Sequence, residues 1–204
     1  FYDLNDYVDY HFELEEVTNY WSHEYFEPAD GLALVGKAPG SERVITAGAF
    51  TGDGLSFGTV SGLLVSDLIT RDFNILASIF TPSRLKPISS AHKTATTVSH
   101  VVKHFISERL SRYDDSPDSI GEKEGKILRV KGEKFAVYKD KEGDIHSFSP
   151  ICRHMGCIVH WNSAEKTWDC PCHGGRYDCY GNVLMGPPRE PLAVKSLQEV
   201  QAGK

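Results

Sequence analysis

Apolar positions change their period several times along this chain. Arg43–Ala49 (RVITAGA) reads as a short buried strand that runs into a glycine-rich turn, Thr51-Gly-Asp-Gly54. From about Leu55 to Asp67 the pattern turns helical, with Val60, Leu63, Leu64 and Leu68 at the spacing that lines one helix face. Gly58, Gly62 and Ser66 form a small-residue stripe on another part of that surface, where a backbone or a flat ligand could lie close. A second helix has a clearer face: Val98, Val101, Val102, Phe105, Ile106 and Leu110 repeat at i, i+3, i+4. Ser89 and Ser90 can cap it, because a hydroxyl accepts from the unpaired N–H groups of a first turn. His100 and His104 sit four apart on its polar side; with no third ligand nearby they read as structural.

Ser111–Glu124 (SRYDDSPDSIGEKE) has no apolar period and looks like an interdomain connection. Beyond it the period drops to two. Lys126–Val130, Phe135–Lys139 and Ile145–Phe148 are short strand candidates, with Lys-Glu-Gly as turn material between the last two. Trp161–Trp168 reads as a hairpin with its tip at Asn162–Glu165. The expected fold class is α+β. A mixed α/β part over residues 1–115 and a linker over 116–124 precede a small antiparallel all-β domain over 125–204.

Charge narrows the function. The chain has 22 Lys+Arg against 28 Asp+Glu among 204 residues, a formal charge of −6, which argues against a nucleic-acid surface. Nine of the acidic residues fall between Phe1 and Asp30, where there is no Lys or Arg; such a run usually faces water. No apolar run reaches the roughly 18 residues that span a bilayer, and no signal-peptide pattern opens the chain. The expectation is a soluble, cytoplasmic protein with no membrane partner. A first residue of Phe1 suggests a chain processed or cut from something longer.

Five cysteines are too few for a secreted disulfide scaffold, and the number is odd. Four of them fall with two histidines in two short loops, Cys152-Arg-His154-Met-Gly-Cys157 and Cys170-Pro-Cys172-His173-Gly-Gly175. C-x-H, fifteen residues, then C-x-x-H supplies two thiolates and two imidazoles, the ligands of iron–sulfur clusters and of zinc.

This two-box pattern resembles the Rieske iron–sulfur family, over roughly residues 124–201. The resemblance implies a [2Fe–2S] cluster with Cys152 and Cys170 on the inner iron and His154 and His173 on the outer, solvent-facing one. It implies a disulfide between Cys157 and Cys172, as in the quinol-oxidising branch. Cys172 and Gly175 stand where the ring-hydroxylating branch has aromatic residues, which argues against that branch. Cys179 is left as a small core residue. Gly186-Pro-Pro188 resembles the family's proline loop, so Pro187 and Pro188 would cover a third side of the cluster. High-potential relatives place a serine just after the His-Gly and a tyrosine two residues on; Tyr177 matches the tyrosine, while Gly175 replaces the serine. With one donor lost, the implied potential lies below that of the quinol-oxidising members and above all-cysteine ferredoxins. A water-facing imidazole on iron releases its proton more readily when the iron is oxidised, so the potential should fall as pH rises through the alkaline range.

Trp21–Gly36 and Val44–Gly62 resemble the C-terminal segment of FAD-dependent oxidoreductases of the glycine/D-amino-acid oxidase type. There the glycine turn and the following helix start lie against the flavin, where unpaired N–H groups stabilise negative charge. That role would fall on Gly48, Thr51, Gly52, Gly54 and Leu55. The G-x-G-x-x-G fingerprint for the ADP half of FAD is missing. The expectation is therefore a truncated α/β flavin-domain fragment fused to a Rieske domain, holding the cluster but not retaining FAD. Such a chain would be the electron-transfer module of an oxidoreductase, working with an attached flavin domain or a redox partner protein. The rivals are a stand-alone Rieske ferredoxin serving an oxygenase and a zinc-binding interaction module. A membrane-anchored quinol-oxidising subunit is disfavoured, because the sequence shows no anchor helix.

Overall fold

The two hydrophobic periods build two separate units in the computed structural model, which describes residues 2–71, 73–84, 87–111, 113 and 116–197. One unit is His23–Ser99; the other combines the N-terminal segment up to Ser22 with the chain from His100 onward. This division differs from the expected 1–115, 116–124 and 125–204. The N-terminal segment, which opens with helix α1 (Tyr2–His11), joins the β-rich unit.

In the unit His23–Ser99, strands β1 (Leu34–Lys37) and β2 (Ile45–Gly48) pair antiparallel, Leu34 opposite Gly48 and Lys37 opposite Ile45. Helix α2 (Gly54–Thr70) follows the glycine turn, where Thr51 and Gly52 take positive φ of 55° and 90°. Ala33 and Val35 are fully buried against Leu64 of α2, ringed by Phe57, Leu68 and the short helix α3 (Ala77–Phe80). The strand expected at Arg43–Ala49 is shorter and is not buried. In a two-stranded ribbon the core lies behind β1, so β2 keeps one side open and Val44 is exposed. The packed face of α2 also differs from the expected one. Ser61 and Leu64 face inward, Ser61 donating to the Phe57 carbonyl at 2.6 Å, while Leu63 is exposed. A Cβ added at Gly58 or Gly62 would meet nothing within 4 Å, so the small-residue stripe fronts open space. These elements amount to a ribbon with helices; they do not show a flavin domain.

One polar knot ties this unit together. Arg84 reaches Asp30 through Nε and Nη2 at 2.7 and 2.9 Å, and Nη1 donates to the Ala33 and Phe80 carbonyls at 3.0 Å each. Asp30 therefore leaves the solvated acidic run expected for residues 1–30: both side chains of this pair are only 6% exposed.

Helix α4 spans Pro87–Leu110. Its start at Pro87 puts Ser89 and Ser90 inside the first turn instead of ahead of it, and proline suits that first position because its missing N–H has no helical partner. The side chains of Ser89, Ser90, His104 and Leu110 lie outside the described residues. Val98, Val102, Phe105 and Ile106, expected as a packed face, are exposed.

The second unit begins its compact part inside the expected linker. Ser116 caps a 3-10 turn at Pro117–Ser119, accepting from the Asp118 N–H at 3.2 Å. Ile120 is buried with Leu128, Phe135 and Val137, so residues 116–124 are anchored rather than free. Strands β3 (Glu124–Val130), β4 (Glu133–Lys139) and β5 (Ile145–Phe148) form one antiparallel sheet in that order. Strands β6 (His160–Asn162), β7 (Thr167–Asp169), β8 (Arg176–Asp178) and β9 (Val183–Met185) form a second. Trp161 stands opposite Trp168 in the expected hairpin, and its Nε1 donates to Glu124 Oε2 at 2.7 Å. A Cβ at Gly125 would lie 2.5 Å from the Trp161 ring; only glycine lets that indole dock on β3. Trp168 and Tyr177, opposite one another on β7 and β8, are fully buried at the centre of the core.

Candidate metal centre

Both ligand loops close by one rule. In the first, the Cys152 N–H donates to the Cys157 carbonyl at 2.8 Å and the Gly156 N–H to the Cys152 carbonyl at 3.1 Å. In the second, the Cys170 N–H donates to the Gly175 carbonyl at 2.8 Å and the Gly174 N–H to the Cys170 carbonyl at 2.9 Å. Each turn needs a residue at positive φ four places after its cysteine, and Gly156 (80°) and Gly174 (69°) supply it. An isolated bridge from Ile151 to Ile158 seats the first loop, and β7 and β8 flank the second.

The two loops bring the expected residues together. Cys152 and Cys170 are free and buried. The His154 and His173 rings meet edge to face, 4.9 Å between centroids. His154 is exposed and His173 half-buried, so the thiols lie inside and the imidazoles toward the surface. Cys157 and Cys172 are joined by a disulfide across the loops. Cys170 Sγ lies within 4.8 Å of both bridged sulfurs, but those have no thiolate left to offer a metal. Tyr177 Oη stands 3.3 Å from Cys152 Sγ and accepts from the Arg153 N–H at 3.0 Å. Cys179 lies just past β8, partly buried against the core.

The cysteine pair is built to carry negative charge. The Cys170 thiol beside it, against the cost of burial and helped by the Tyr177 hydroxyl, brings Cys152 down to about 5. Sharing that hydrogen bond, and burial after it, push Cys170 upward. Burial and the neighbouring Cys152 sulfur raise Tyr177, which keeps its hydroxyl proton available to the sulfur. Two buried sulfurs and two imidazoles supply the four side-chain ligands that a histidine-ligated [2Fe–2S] cluster takes.

Pro188 is buried against the second loop, where a Cβ on Gly175 would come within 2.6 Å of its Cδ; Pro187 Cδ would be 3.7 Å away. The residues expected at a flavin fare differently. Gly48, Thr51, Gly52, Gly54 and Leu55 do share one turn and helix start, but a Cβ at any of the three glycines meets nothing within 4 Å and Leu55 is 93% exposed. That turn offers N–H groups and open space, with no walls shown to hold an isoalloxazine.

Sequence reasoning missed a buried ionic cluster beside the second loop. Arg176 Nε donates to Asp169 Oδ1 at 3.1 Å and its Nη2 pairs with Glu165. Ser22 completes it, its N–H and Oγ–H donating to Glu165 at 2.6 and 2.7 Å, and its carbonyl accepting from Arg176 Nη1 at 3.2 Å. Although burial acts the other way, the bonds from Ser22 and Arg176 hold the Glu165 carboxyl below the usual carboxylate range. Arg176 lies only 7 and 11 positions from Asp169 and Glu165, across one hairpin, whereas Ser22 lies 143 and 154 positions from Glu165 and Arg176 and leaves no local signal to find.

The disulfide closes a separation of 15 residues. Replacing both Cys157 and Cys172 by alanine should cost about 3 kcal/mol through the looser unfolded chain. Guanidinium unfolding of oxidised wild type and the double variant checks it, and equal midpoints would contradict it.

Comparison with known proteins bears on the whole arrangement. Residues 114–198 match the Rieske [2Fe-2S] domain family. The chain is 34% identical over 180 residues to YhfW of Bacillus subtilis (strain 168), a protein named for a Rieske 2Fe-2S iron-sulfur centre; the match covers 88% of this chain and 35% of YhfW. It is 30% identical over 142 residues to cytochrome b6-f complex iron-sulfur subunit 1 of Nostoc sp. (strain PCC 7120), covering 69% of this chain and 72% of that subunit. Among solved structures, the plasma membrane Rieske protein PetC3 from Synechocystis PCC 6803 matches with 26% identity and a TM-score of 0.36, over 42% of this chain and 88% of that one. The chain thus spans about a third of the length of YhfW. No helix among the described residues is long and apolar enough to cross a membrane.

Proposed function

The chain belongs to the Rieske [2Fe–2S] family, and from that premise we propose that it passes single electrons through a cluster held by Cys152 and Cys170 on one iron and His154 and His173 on the other. The observation that carries this assignment is the polarity of the pocket, with buried thiols behind and imidazoles toward solvent. The cluster, when bound, supplies a reversible one-electron couple. The protein's share is to exclude water from the thiolate side, fix both imidazoles at the surface, and hold a hydroxyl proton against Cys152 Sγ through Tyr177. Exposed Met155 beside His154 adds apolar contact surface at the edge where a redox partner would dock.

The finer reading is an oxidoreductase in which that partner is a flavin. It rests on the resemblance of residues 21–36 and 44–62 to FAD-dependent oxidases and on the exposed apolar side chains Leu55, Leu63, Ile69, Phe73 and Ile75, which a further folded partner would cover. A reductive titration should take up one electron per chain reversibly, and the protein isolated from its source cells should contain FAD. A colourless protein holding one zinc and no redox wave overturns electron transfer altogether. A redox-active protein whose natural form lacks flavin leaves electron transfer standing and removes the flavin, in favour of a ferredoxin-like carrier.

A further inference from the structure

We propose that Ser22 latches the second ligand loop: it caps the Glu165–Arg176 pair at the base of that loop, so that the N-terminal segment holds the His173 side of the centre in place. The consequence for the cluster rests on the [2Fe–2S] reading above, whereas the latch itself does not. The loop Cys170–Gly175 connects β7 to β8, and the ladder pair that closes its base is Asp169 opposite Arg176. One step further in, the Cys170 N–H donates to the Gly175 carbonyl at 2.8 Å. Arg176 therefore stands at the mouth of the loop. Each of its guanidinium nitrogens has an acceptor. Nε donates to Asp169 Oδ1 at 3.1 Å, and Nη2 pairs with Glu165 and donates to Thr167 Oγ1 at 3.1 Å. Nη1 donates to the Ser22 carbonyl and to Ser22 Oγ, at 3.2 Å each.

Among the described residues, both acceptors of Nη1 thus belong to Ser22. Glu165 is held from the same side, its two carboxylate oxygens accepting from the Ser22 N–H at 2.6 Å and from the Ser22 hydroxyl at 2.7 Å. Ser22 is itself exposed, yet the Arg176 and Glu165 side chains that it bonds are only 10% and 12% exposed. One surface residue covers a charged pair that would otherwise meet water, where the attraction between charges is weaker. Residues 12–22 take neither helix nor strand, so the segment is held by individual bonds such as these. Ser22 is also the last residue of this unit before the chain passes into His23–Ser99, so a shift of the neighbouring chain is passed to Arg176 and the loop base. The disulfide ties Cys172 to the first loop, but it leaves the base of the second loop to the ladder and the ion pair. Ser22, Glu165 and Arg176 are thus positioning residues that act through the loop carrying Cys170 and His173.

The test follows hydrogen exchange in wild type, Ser22→Ala, Ser22→Thr and Asn19→Ala, each as purified and with its iron counted. Ser22→Ala removes the hydroxyl that donates to Glu165 and accepts from Arg176, at an exposed position where no core packing is lost. The expected result is exchange about tenfold faster at the Cys170 and Gly174 amides, the scale of one lost hydrogen bond to a charged group. The Cys152 and Gly156 amides of the first loop should keep their rates. Threonine at 22 keeps a hydroxyl and should restore wild-type exchange. Asn19→Ala is the control from the same exposed segment, since its amide donates to Thr18 Oγ1, and it should change nothing. Release of iron to a chelator is the second readout, expected to be faster in Ser22→Ala alone by a similar factor. Unchanged exchange at Cys170 and Gly174 in Ser22→Ala overturns the latch. So does an equal rise in the first loop, in Ser22→Thr or in Asn19→Ala, any of which would mean a general loosening. Faster loop exchange with unchanged iron release overturns the hold on the centre. Preparations that bind no iron defeat the cluster reading, while exchange in the same samples still decides the latch.

Discussion

Cys170→Ser should give a folded but colourless protein, its iron content falling from two per chain to near zero and its visible absorbance lost. Cys170 is buried, free of any disulfide, and hydrogen-bonded through its sulfur to Cys152. An alcohol in that place stays protonated at neutral pH, so it cannot replace the thiolate. Its loss leaves one sulfur and two imidazoles, too few for a cluster whose irons need four protein ligands. Cys179→Ser is the control. That thiol is only partly buried and lies past the end of β8, outside both ligand loops. Metal analysis and absorption of the two variants side by side decide the matter. Full iron in the Cys170 variant, or loss of iron in the Cys179 variant, would show that the ligand set is drawn wrongly.

Arg84→Met should destabilise the unit His23–Ser99 by about 3–5 kcal/mol, the usual cost of removing one partner from a buried ion pair. Methionine fills much of the space but donates nothing. The Asp30 carboxylate, itself 6% exposed, loses both of its bonds from the guanidinium, and the Ala33 and Phe80 carbonyls lose theirs. Those carbonyls flank β1 and end α3, so the damage should spread along the β1–β2 ribbon. With total stability of a domain near 5–15 kcal/mol, so large a loss brings local opening within reach. Hydrogen exchange at the amides of β1 and β2 should speed up by two or more orders of magnitude, while the amides of β3 and β4 keep their protection. Adding Asp30→Leu should restore much of the loss, because the stranded charge is then gone. Unchanged exchange in the single variant would mean that the pair contributes nothing.

These two expectations mark the boundary of what is legible in the chain. The ligand loops could be read because ligation is settled by residue type over a few positions, and the glycines that close each loop sit inside the same short motifs. The strands β3, β4 and β5 were legible for a similar reason: a period of two is local, and only the starts of β3 and β4 were misjudged, by two residues each. Arg84 and Asp30 are 54 positions apart, and Ser22 and Arg176 are 154 apart, so nothing near any of them announces the partner. The same holds for Pro188 against Gly175, a contact that leaves no room for a side chain at position 175. Periodicity also overstated burial. The apolar repeat on α4 correctly marks a helix, yet Val98, Val102 and Ile106 are exposed, because a repeat states which residues share a face and not what covers it. The strand at residues 43–49 failed likewise: its residues suit a strand interior, but β1 alone pairs with it.

The most direct test of the central claim is an EPR spectrum of the purified protein before and after dithionite, with iron and zinc counted on the same sample. A centre on Cys152, Cys170, His154 and His173 predicts two irons per chain, silence when oxidised, and on reduction the signal of a [2Fe–2S] cluster whose average g value is lowered by imidazole ligation. An EPR-silent protein carrying one zinc and no iron would contradict it.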